Sequence, residues 1–326
     1  MGQISPALEA FYDFTPESED FLDAITEGLS GTPKTIPCKF FYDKRGSALF
    51  DQICELDEYY VTRTETALLR TKAPEIAALM GDGCHLIEFG SGSSTKVKIL
   101  LDAADHIAGY TAIDISRDHL LASTGALAHE FPDLTVTAVC ADYTQPFDLP
   151  ALESAPEAKP VAFFPGSSIG NFLADQARDF LAQTAALLKP RRGALLIGVD
   201  LKKDVNVLQA AYNDSRGITA DFNLNLLVRA NEELAADFDL AAFHHEAVYN
   251  EKEGRMEMYL VSDRSQDVRI GKKRFLFAAG ETIHTENSHK YTVAEFHGMA
   301  RAAGFDPLRV WTDANDLFSL HFLAAV

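Results

Sequence analysis

From His85 onward, short apolar runs alternate with amphipathic stretches, and this rhythm constrains the fold more than any other feature of the chain. Residues 85–89, 110–114, 134–140, 161–164 and 194–200 read as strands. Between them 95–104, 117–130 and 174–188 read as helices, the second capped by Ser116 and stopped before Pro132. Strands that are apolar throughout and joined through helices belong to a parallel sheet covered on both faces, so the expectation is an α/β fold with a Rossmann-like sheet. After Asp200 the rhythm is lost. Helical segments around 202–213 and 224–240 lead to a hairpin around Asn250–Gly254 and a further strand near 270–283. A helix over 292–303, ended by Gly304, then precedes "PLRVWTD" and "FSLHFLAAV", two runs that can close the sheet as a pair. The middle segment therefore reads as an insertion into the α/β domain. Ahead of both, Phe21, Leu22, Ile25 and Leu29 have helical spacing within 17–30 and give an N-terminal helical unit.

The first strand runs into "EFGSGSSTK" (88–96), a glycine-serine loop of the kind that holds nucleotides. A phosphate-gripping loop needs G-x-x-x-x-G-K-[ST]; here Gly90, Gly92 and Lys96 have the wrong spacing and Val97 follows the lysine, which excludes ATP or GTP hydrolysis. A dinucleotide fingerprint wants a third glycine where Thr95 stands, so NAD is disfavoured, though that third position is the least strict. What remains is a series of acids at successive strand ends. Glu88 precedes the loop, Asp114 ends the second strand where an acid accepts from ribose hydroxyls, and Asp142-Tyr143 offers the third strand end an acid beside a ring that can stack on adenine. Acids without a phosphate-binding lysine suit a cationic nucleoside, and S-adenosylmethionine, a sulfonium, is the obvious one.

Composition narrows the partners. The chain has 326 residues, 47% of them hydrophobic, enough for one large core or two ordinary ones. Its 29 basic against 48 acidic residues give a formal charge of −19, which repels phosphate backbones and anionic lipid surfaces, so neither nucleic acid nor membrane is expected as a partner. Cys38, Cys54, Cys84 and Cys140 contain no C-x-x-C pair and argue against a zinc site or a disulfide framework. With no membrane span and no signal-peptide pattern, the expected location is the cytoplasm. No heptad or apolar edge points to an oligomer, and a monomer is expected. His244-His245-Glu246 and His284, Glu286 and His289 lack the H-E-x-x-H spacing, so no metal is expected.

Several longer stretches carry a more specific resemblance. "FYDKRGSALFDQICELDEYYVTRTE" (41–65), "EFGSGSSTK" (88–96), "FFPGSSIGN" (163–171), "AYNDSRGITADFN" (211–223) and "AAGETIHTENSHKY" (278–291) resemble, in order and spacing, the L-histidine Nα-methyltransferases of ergothioneine biosynthesis, essentially end to end. The resemblance implies transfer of three methyl groups from S-adenosylmethionine to the α-amine of L-histidine, through its mono- and dimethyl forms, giving hercynine. It implies a class I methyltransferase sheet over 64–200 plus 290–326 that binds S-adenosylmethionine, and a second, α+β substrate-binding domain over 1–63 plus 201–289.

Position by position, it places Gly90, Lys96, Asp114, Asp142 and Tyr143 at the cofactor and Tyr59, Asn171 and Tyr212 at the substrate carboxylate. Glu286 and Ser288 are placed at the imidazole, Tyr42 near the reacting amine, the Gly166 carbonyl facing it, and Phe50 and Met258 as apolar walls. Without that context the tyrosines would read as amphipathic core residues, Glu286 as a solvated carboxylate, and Asn171 as a turn residue. The alternatives are a methyltransferase of the same build acting on another aromatic amino acid such as tryptophan, an NAD-dependent oxidoreductase, and an S-adenosylmethionine-binding protein that turns nothing over.

Overall fold

A computed structural model of the chain describes residues 8–14, 21–92, 94–145, 149 and 157–326. It divides into two compact units, one of Met1–Pro16, Val61–Lys202 and Tyr291–Val326, the other of Glu17–Tyr60 and Lys203–Lys290.

The first unit is built on an eight-stranded sheet. Its strands are β1 (Ala10–Asp13), β3 (Cys84–Phe89), β4 (Ile107–Asp114), β5 (Val136–Cys140), β6 (Pro160–Phe164), β7 (Ala194–Asp200), β13 (Phe305–Thr312) and β14 (Phe318–Ala325), in the order β1-β5-β4-β3-β6-β7-β14-β13. The strands from β3 to β7 pair in parallel, and β14 joins β7 antiparallel with β13 beyond it. Every residue of β3, β5, β6 and β7 is buried, which is why these strands read as uninterrupted apolar runs. Helices Thr95–Ala103, Arg117–Glu130 and Ala174–Leu188 connect them close to the expected bounds. A cluster of Phe89, Ile113, Val139, Phe164, Phe180, Ile197 and Phe296 fills one side of the sheet. The chain leaves β3 toward β4 on one side and returns to β6 on the other, so the carboxyl ends of β3 and β6 form the crevice at which such sheets bind ligands.

The second unit holds a four-stranded sheet of β2 (Lys34–Thr35), β8 (Phe243–Asn250), β9 (Arg255–Ser262) and β12 (Thr282–His289), in the order β2-β12-β9-β8. It also has a two-stranded ribbon of β10 (Gln266–Ile270) and β11 (Lys273–Phe277). The hairpin at 250–254 is where the sequence placed it, with Asn250 opposite Arg255. Helices Phe21–Ser30, Lys44–Cys54, Val205–Tyr212 and Ile218–Leu234 complete the unit. Residues 17–20 of the expected first helix lie outside the described residues. Asp43 caps Lys44–Cys54 by accepting the Gly46 N–H at 2.7 Å, and the same oxygen accepts Asn225 Nδ2 at 2.8 Å, which fixes the chain just after Tyr42.

Four features differ from the sequence expectation. Residues 10–13, assigned with 1–63 to the substrate domain, form an edge strand parallel to β5. The helix expected over 224–240 begins at Ile218 and ends at Leu234; Gly217, at φ 72°, turns the chain into it, and Ala235, at φ 51°, ends it. The single strand near 270–283 is instead a ribbon followed by β12, which contains the "HTENSH" run itself. Residues 61–63 and 201–202, placed with the substrate domain, fall in the first unit, and Lys290, placed with the sheet domain, closes the second.

Candidate active site

In the first unit the glycine loop leaves β3 through left-handed backbone. Gly90, Gly92 and Ser94 have φ of 69°, 47° and 57°, which the two glycines adopt without the penalty a side chain would add. Asp114, at the end of β4, ties this loop down. Its Oδ2 accepts the Gly92 N–H at 3.2 Å and its Oδ1 accepts the Ser116 N–H at 2.9 Å. Each oxygen keeps a lone pair beyond these contacts, so the carboxylate still has room for hydroxyl donors. Ser91 Oγ, in the same loop, is buried and has no hydrogen-bond partner among the described residues, as expected of a group built to meet a ligand. Ser93 lies outside the described residues.

The third strand end carries Asp142 and Tyr143. Asp142 Oδ1 accepts the Thr144 N–H at 3.0 Å, a local turn that presents the carboxylate beside the ring. Tyr143 meets Phe89, Phe164 and Phe180 in edge contacts with centroids at 5.9, 5.7 and 6.0 Å, so its ring plane is fixed before any base stacks on it. Its hydroxyl faces Gly90, 3.6 Å from where a Cβ would stand.

Behind the loop lies Glu88, fully buried and bonded by the Tyr110 hydroxyl at 2.5 Å. Burial pushes its carboxyl up to about 8 against the opposing pull of that hydrogen bond and of the Lys96 charge. Lys96, on the first turn of Thr95–Ala103, pairs with Glu65 at 2.5 Å. Glu65 sits near the start of helix Tyr60–Met80 with no exposed surface, and both of its oxygens accept the Gly166 N–H, at 3.0 and 2.9 Å. Gly166 itself is left-handed at φ 80°, and Lys96 Nζ lies 3.5 Å from the place a Cβ would take. One buried carboxylate thus joins the loop after β3 to the loop after β6. Asn171 ends the 3-10 turn Ser168–Asn171 that follows.

The second unit gathers a different set. Tyr42, Phe50 and Phe222 meet edge-on or tilted, with Tyr42 at 5.7 Å from Phe50 and 5.9 Å from Phe222. Phe50 also meets Tyr59 at 6.4 Å, and Tyr59 meets Tyr212 at 6.4 Å. Glu286 and Ser288 are two apart on β12 and so share a face, with Met258 and Met256 opposite them on β9. The Tyr212 hydroxyl donates to Ser288 Oγ at 2.7 Å, and Lys290 Nζ donates to Tyr212 Oη at 3.0 Å and to Ser288 Oγ at 2.7 Å. Burial pushes the Glu286 carboxyl up to about 7, with the Lys290 charge opposing. Burial, reinforced by the neighbouring Tyr212, Cys54, Glu286 and Tyr42, holds the Tyr59 phenol well above its usual range, and burial beside Glu286 pushes the Cys38 thiol up to about 12. Glu286 is therefore the group of this set that changes charge near neutrality.

The residues expected at the cofactor thus lie together at the strand ends of the first unit. Of those expected at the substrate, Tyr42, Phe50, Tyr59, Tyr212, Met258, Glu286 and Ser288 lie in the second unit, and Gly166 and Asn171 lie in the first. Glu65, Phe222 and Lys290 were not singled out. Lys290 carried a signal, since strand alternation from Glu286 and Ser288 points to position 290. Glu65 carried none, because nothing local marks an acid in a helix as buried. Among the described residues, no group of three or more His, Cys, Asp or Glu could hold a metal ion, and no helix is long and apolar enough to cross a membrane.

A mostly parallel sheet whose last seven strands run β5-β4-β3-β6-β7-β14-β13, with a left-handed glycine loop after the central strand and acids at the strand ends beside it, defines a class I S-adenosylmethionine-dependent methyltransferase. Comparison of the sequence takes this further: the family described as histidine-specific methyltransferase, SAM-dependent, matches residues 21–325, and the chain belongs to that family. It is 40% identical over 302 residues to the histidine N-alpha-methyltransferase of Mycolicibacterium smegmatis, covering 91% of this chain and 92% of that one. It is 39% identical over 309 residues to the protein of that name from Mycobacterium tuberculosis, covering 92% and 93%. Ergothioneine biosynthesis protein 1 of Neurospora crassa is 34% identical over 299 residues, which is 90% of this chain and 33% of that much longer protein.

Proposed function

We propose that the protein transfers three methyl groups from S-adenosylmethionine to the α-amine of L-histidine, giving hercynine as the first step of ergothioneine biosynthesis. The observation that carries this reading is the pair Glu286 and Ser288, two apart on one face of β12, a carboxylate and a hydroxyl suited to the two nitrogens of an imidazole. A neutral imidazole has one N–H and one bare nitrogen; Glu286 accepts from the first and Ser288 meets the second. A site built from such polar pairs discriminates by about 10⁴ to 10⁵, because a wrong ligand leaves them unsatisfied. Tryptophan, with a single indole N–H and no acceptor, is disfavoured on that ground.

At the other end of the substrate, Tyr59, Tyr212 and Asn171 hold the carboxylate. The raised phenol of Tyr59 keeps its proton throughout the neutral range and stays a donor, as a carboxylate requires. Gly90, Lys96, Asp114, Asp142 and Tyr143 hold the cofactor: Asp114 takes the ribose hydroxyls, Asp142 and Tyr143 the adenine, and Lys96, already paired with Glu65, offers its other protons to the methionine carboxylate. S-adenosylmethionine supplies an electrophilic methyl group on a cationic sulfur. The chain's own contribution is alignment, which is worth about 7–11 kcal/mol when reacting atoms are held near contact. Tyr42 accepts or relays the proton the amine must lose before it can react, with the Gly166 carbonyl facing the nitrogen. Phe50 and Met258 supply the apolar space that a nitrogen gathering methyl groups needs.

We further propose that the chain acts in the cytoplasm as a monomer on small molecules alone, with no nucleic-acid or membrane partner, a reading its charge of −19 supports. The test is mass spectrometry of the purified chain incubated with S-adenosylmethionine and L-histidine or L-tryptophan. Histidine is expected to gain one, two and finally three methyl groups, and gain on tryptophan alone, or on neither, would overturn the assignment.

A further inference from the structure

Lys290 is the residue just past β12, and only 2% of its surface is exposed. Its backbone N–H is fixed to the Gly254 carbonyl at 2.9 Å, in the turn of the β8–β9 hairpin, so its side chain leaves a rigid support. The ammonium reaches Tyr212 Oη and Ser288 Oγ, both buried, and stands 5.0 Å from the centroid of the Tyr212 ring. An ammonium only donates, and a hydroxyl has one proton and two acceptor positions. Ser288 Oγ receives Lys290 Nζ at 2.7 Å and the Tyr212 hydroxyl at 2.7 Å, so both of its acceptor positions are filled and its own proton is what remains to be given. Ser288 on its own could give or accept; in this triangle it gives.

We propose that Lys290 is a positioning residue of the substrate site, which by donating to Tyr212 and Ser288 together turns the Ser288 hydroxyl outward as a hydrogen-bond donor for the bare nitrogen of the substrate ring. This rests on the reading of Ser288 as an imidazole contact. Lys290 touches neither reacting atom, so its effect falls on substrate binding rather than on the rate of the bound complex.

The experiment compares wild type, Lys290→Met, Ser288→Ala and the double variant, by steady-state kinetics and by calorimetric titration of L-histidine in the presence of S-adenosylhomocysteine. Lys290→Met is expected to raise the KM and Kd for histidine about tenfold or more while kcat stays within about threefold, the signature of lost binding to a charge-assisted donor. The double variant is expected to lie within about twofold of Ser288→Ala, since the two residues act as one unit. Lys290→Arg, which keeps charge and donors, is expected to recover part of the lost affinity. An unchanged histidine KM in Lys290→Met, multiplied effects in the double variant, or no recovery in Lys290→Arg would overturn the proposal. Unchanged affinity for S-adenosylhomocysteine checks that each variant folds, and Lys290→Gln replaces Lys290→Met under the same criteria if that variant does not. A wild-type chain that neither binds nor methylates histidine would instead remove the reading of the site on which the proposal stands.

Discussion

The Gly166 N–H is held by both carboxylate oxygens of Glu65, at 3.0 and 2.9 Å, inside the first unit. The same carboxylate pairs with Lys96, so an acid from one helix fixes a lysine beside the glycine loop and the backbone of the loop after β6. Room for it comes from β7: a Cβ on Gly198 would stand 2.1 Å from Glu65 Oε1, which makes Gly198→Ala incompatible with the carboxylate in place. Lys96 is 18% exposed and Glu65 0%, so removing the acid strands a largely buried cation. Glu65→Ala is expected to destabilise the protein by about 3 kcal/mol, the lower end for a broken buried pair because Lys96 keeps some water. Glu65→Gln, which can still accept the Gly166 N–H, should lose less. Urea denaturation measures both; a loss below about 1 kcal/mol for Glu65→Ala would show that the pair does not hold the loops.

Glu88 predicts a pH dependence of stability. Its carboxyl is pushed up to about 8 in the fold from an ordinary 4.5, so between those values the folded protein binds a proton that the unfolded chain has released. Stability from this group therefore falls as pH rises. Two buried histidines oppose it at lower pH: His85 and His321, lowered to about 4 and about 3, make stability rise with pH until about 6.5. Above pH 6.5 the histidine contribution fades and is shared by both proteins, so the wild type should lose on the order of 2 kcal/mol relative to Glu88→Gln by pH 8, at up to about 1.4 kcal/mol per unit. Denaturation of both proteins at pH 6.5 and 8 measures it, and parallel losses in the two would assign the slope to other groups.

The part of the molecule that was legible in sequence is the part whose strands are apolar throughout. From β3 to β7 each strand is buried on both faces, and the pattern that produces is hard to confuse with anything else. β12 was not legible as a strand because its sequence, "TIHTENSH", is polar and lacks the apolar alternation of a half-buried strand. β1 was missed because an edge strand of four residues leaves too short a pattern. Glu65, though it ends the quoted 41–65 block, was not singled out, because it acts through partners at 96 and 166 and owes its place entirely to tertiary packing.

Glu286 predicts a pH dependence of activity. Its carboxyl, pushed up to about 7, must be ionised to accept an imidazole N–H with full strength, so affinity for histidine falls as pH drops through 7. Free histidine protonates its own ring near pH 6.5, which adds a second acid limb to kcat/KM. Below about pH 6.5 the wild-type slope is expected to be steeper than that of Glu286→Gln by about one, since the variant loses the carboxylate's ionisation and keeps those of the substrate's ring and amine. Glu286→Ala should raise the histidine KM at least about tenfold, the loss of a charge-assisted hydrogen bond of about 1.5–3 kcal/mol. Identical slopes in wild type and Glu286→Gln, or an unchanged KM in Glu286→Ala, would remove Glu286 from the imidazole.

Tyr42 separates two routes for the amine proton. Its ring is fixed edge-on to Phe50 and Phe222, and the neighbouring Asp43 is anchored to Gly46 and Asn225, so Tyr42→Phe removes the hydroxyl while keeping the packing. A free amino acid arrives as the ammonium, and each of the first two methylations leaves a proton to be lost before the next. If the phenol carries that proton, kcat in Tyr42→Phe should fall by about 10², the low end for general acid–base catalysis, with histidine KM little changed. The deficit should shrink as pH rises and the amine deprotonates without help. A kcat within about threefold of wild type at neutral pH would instead assign proton loss to solvent, leaving Tyr42 as a wall of the aromatic cluster.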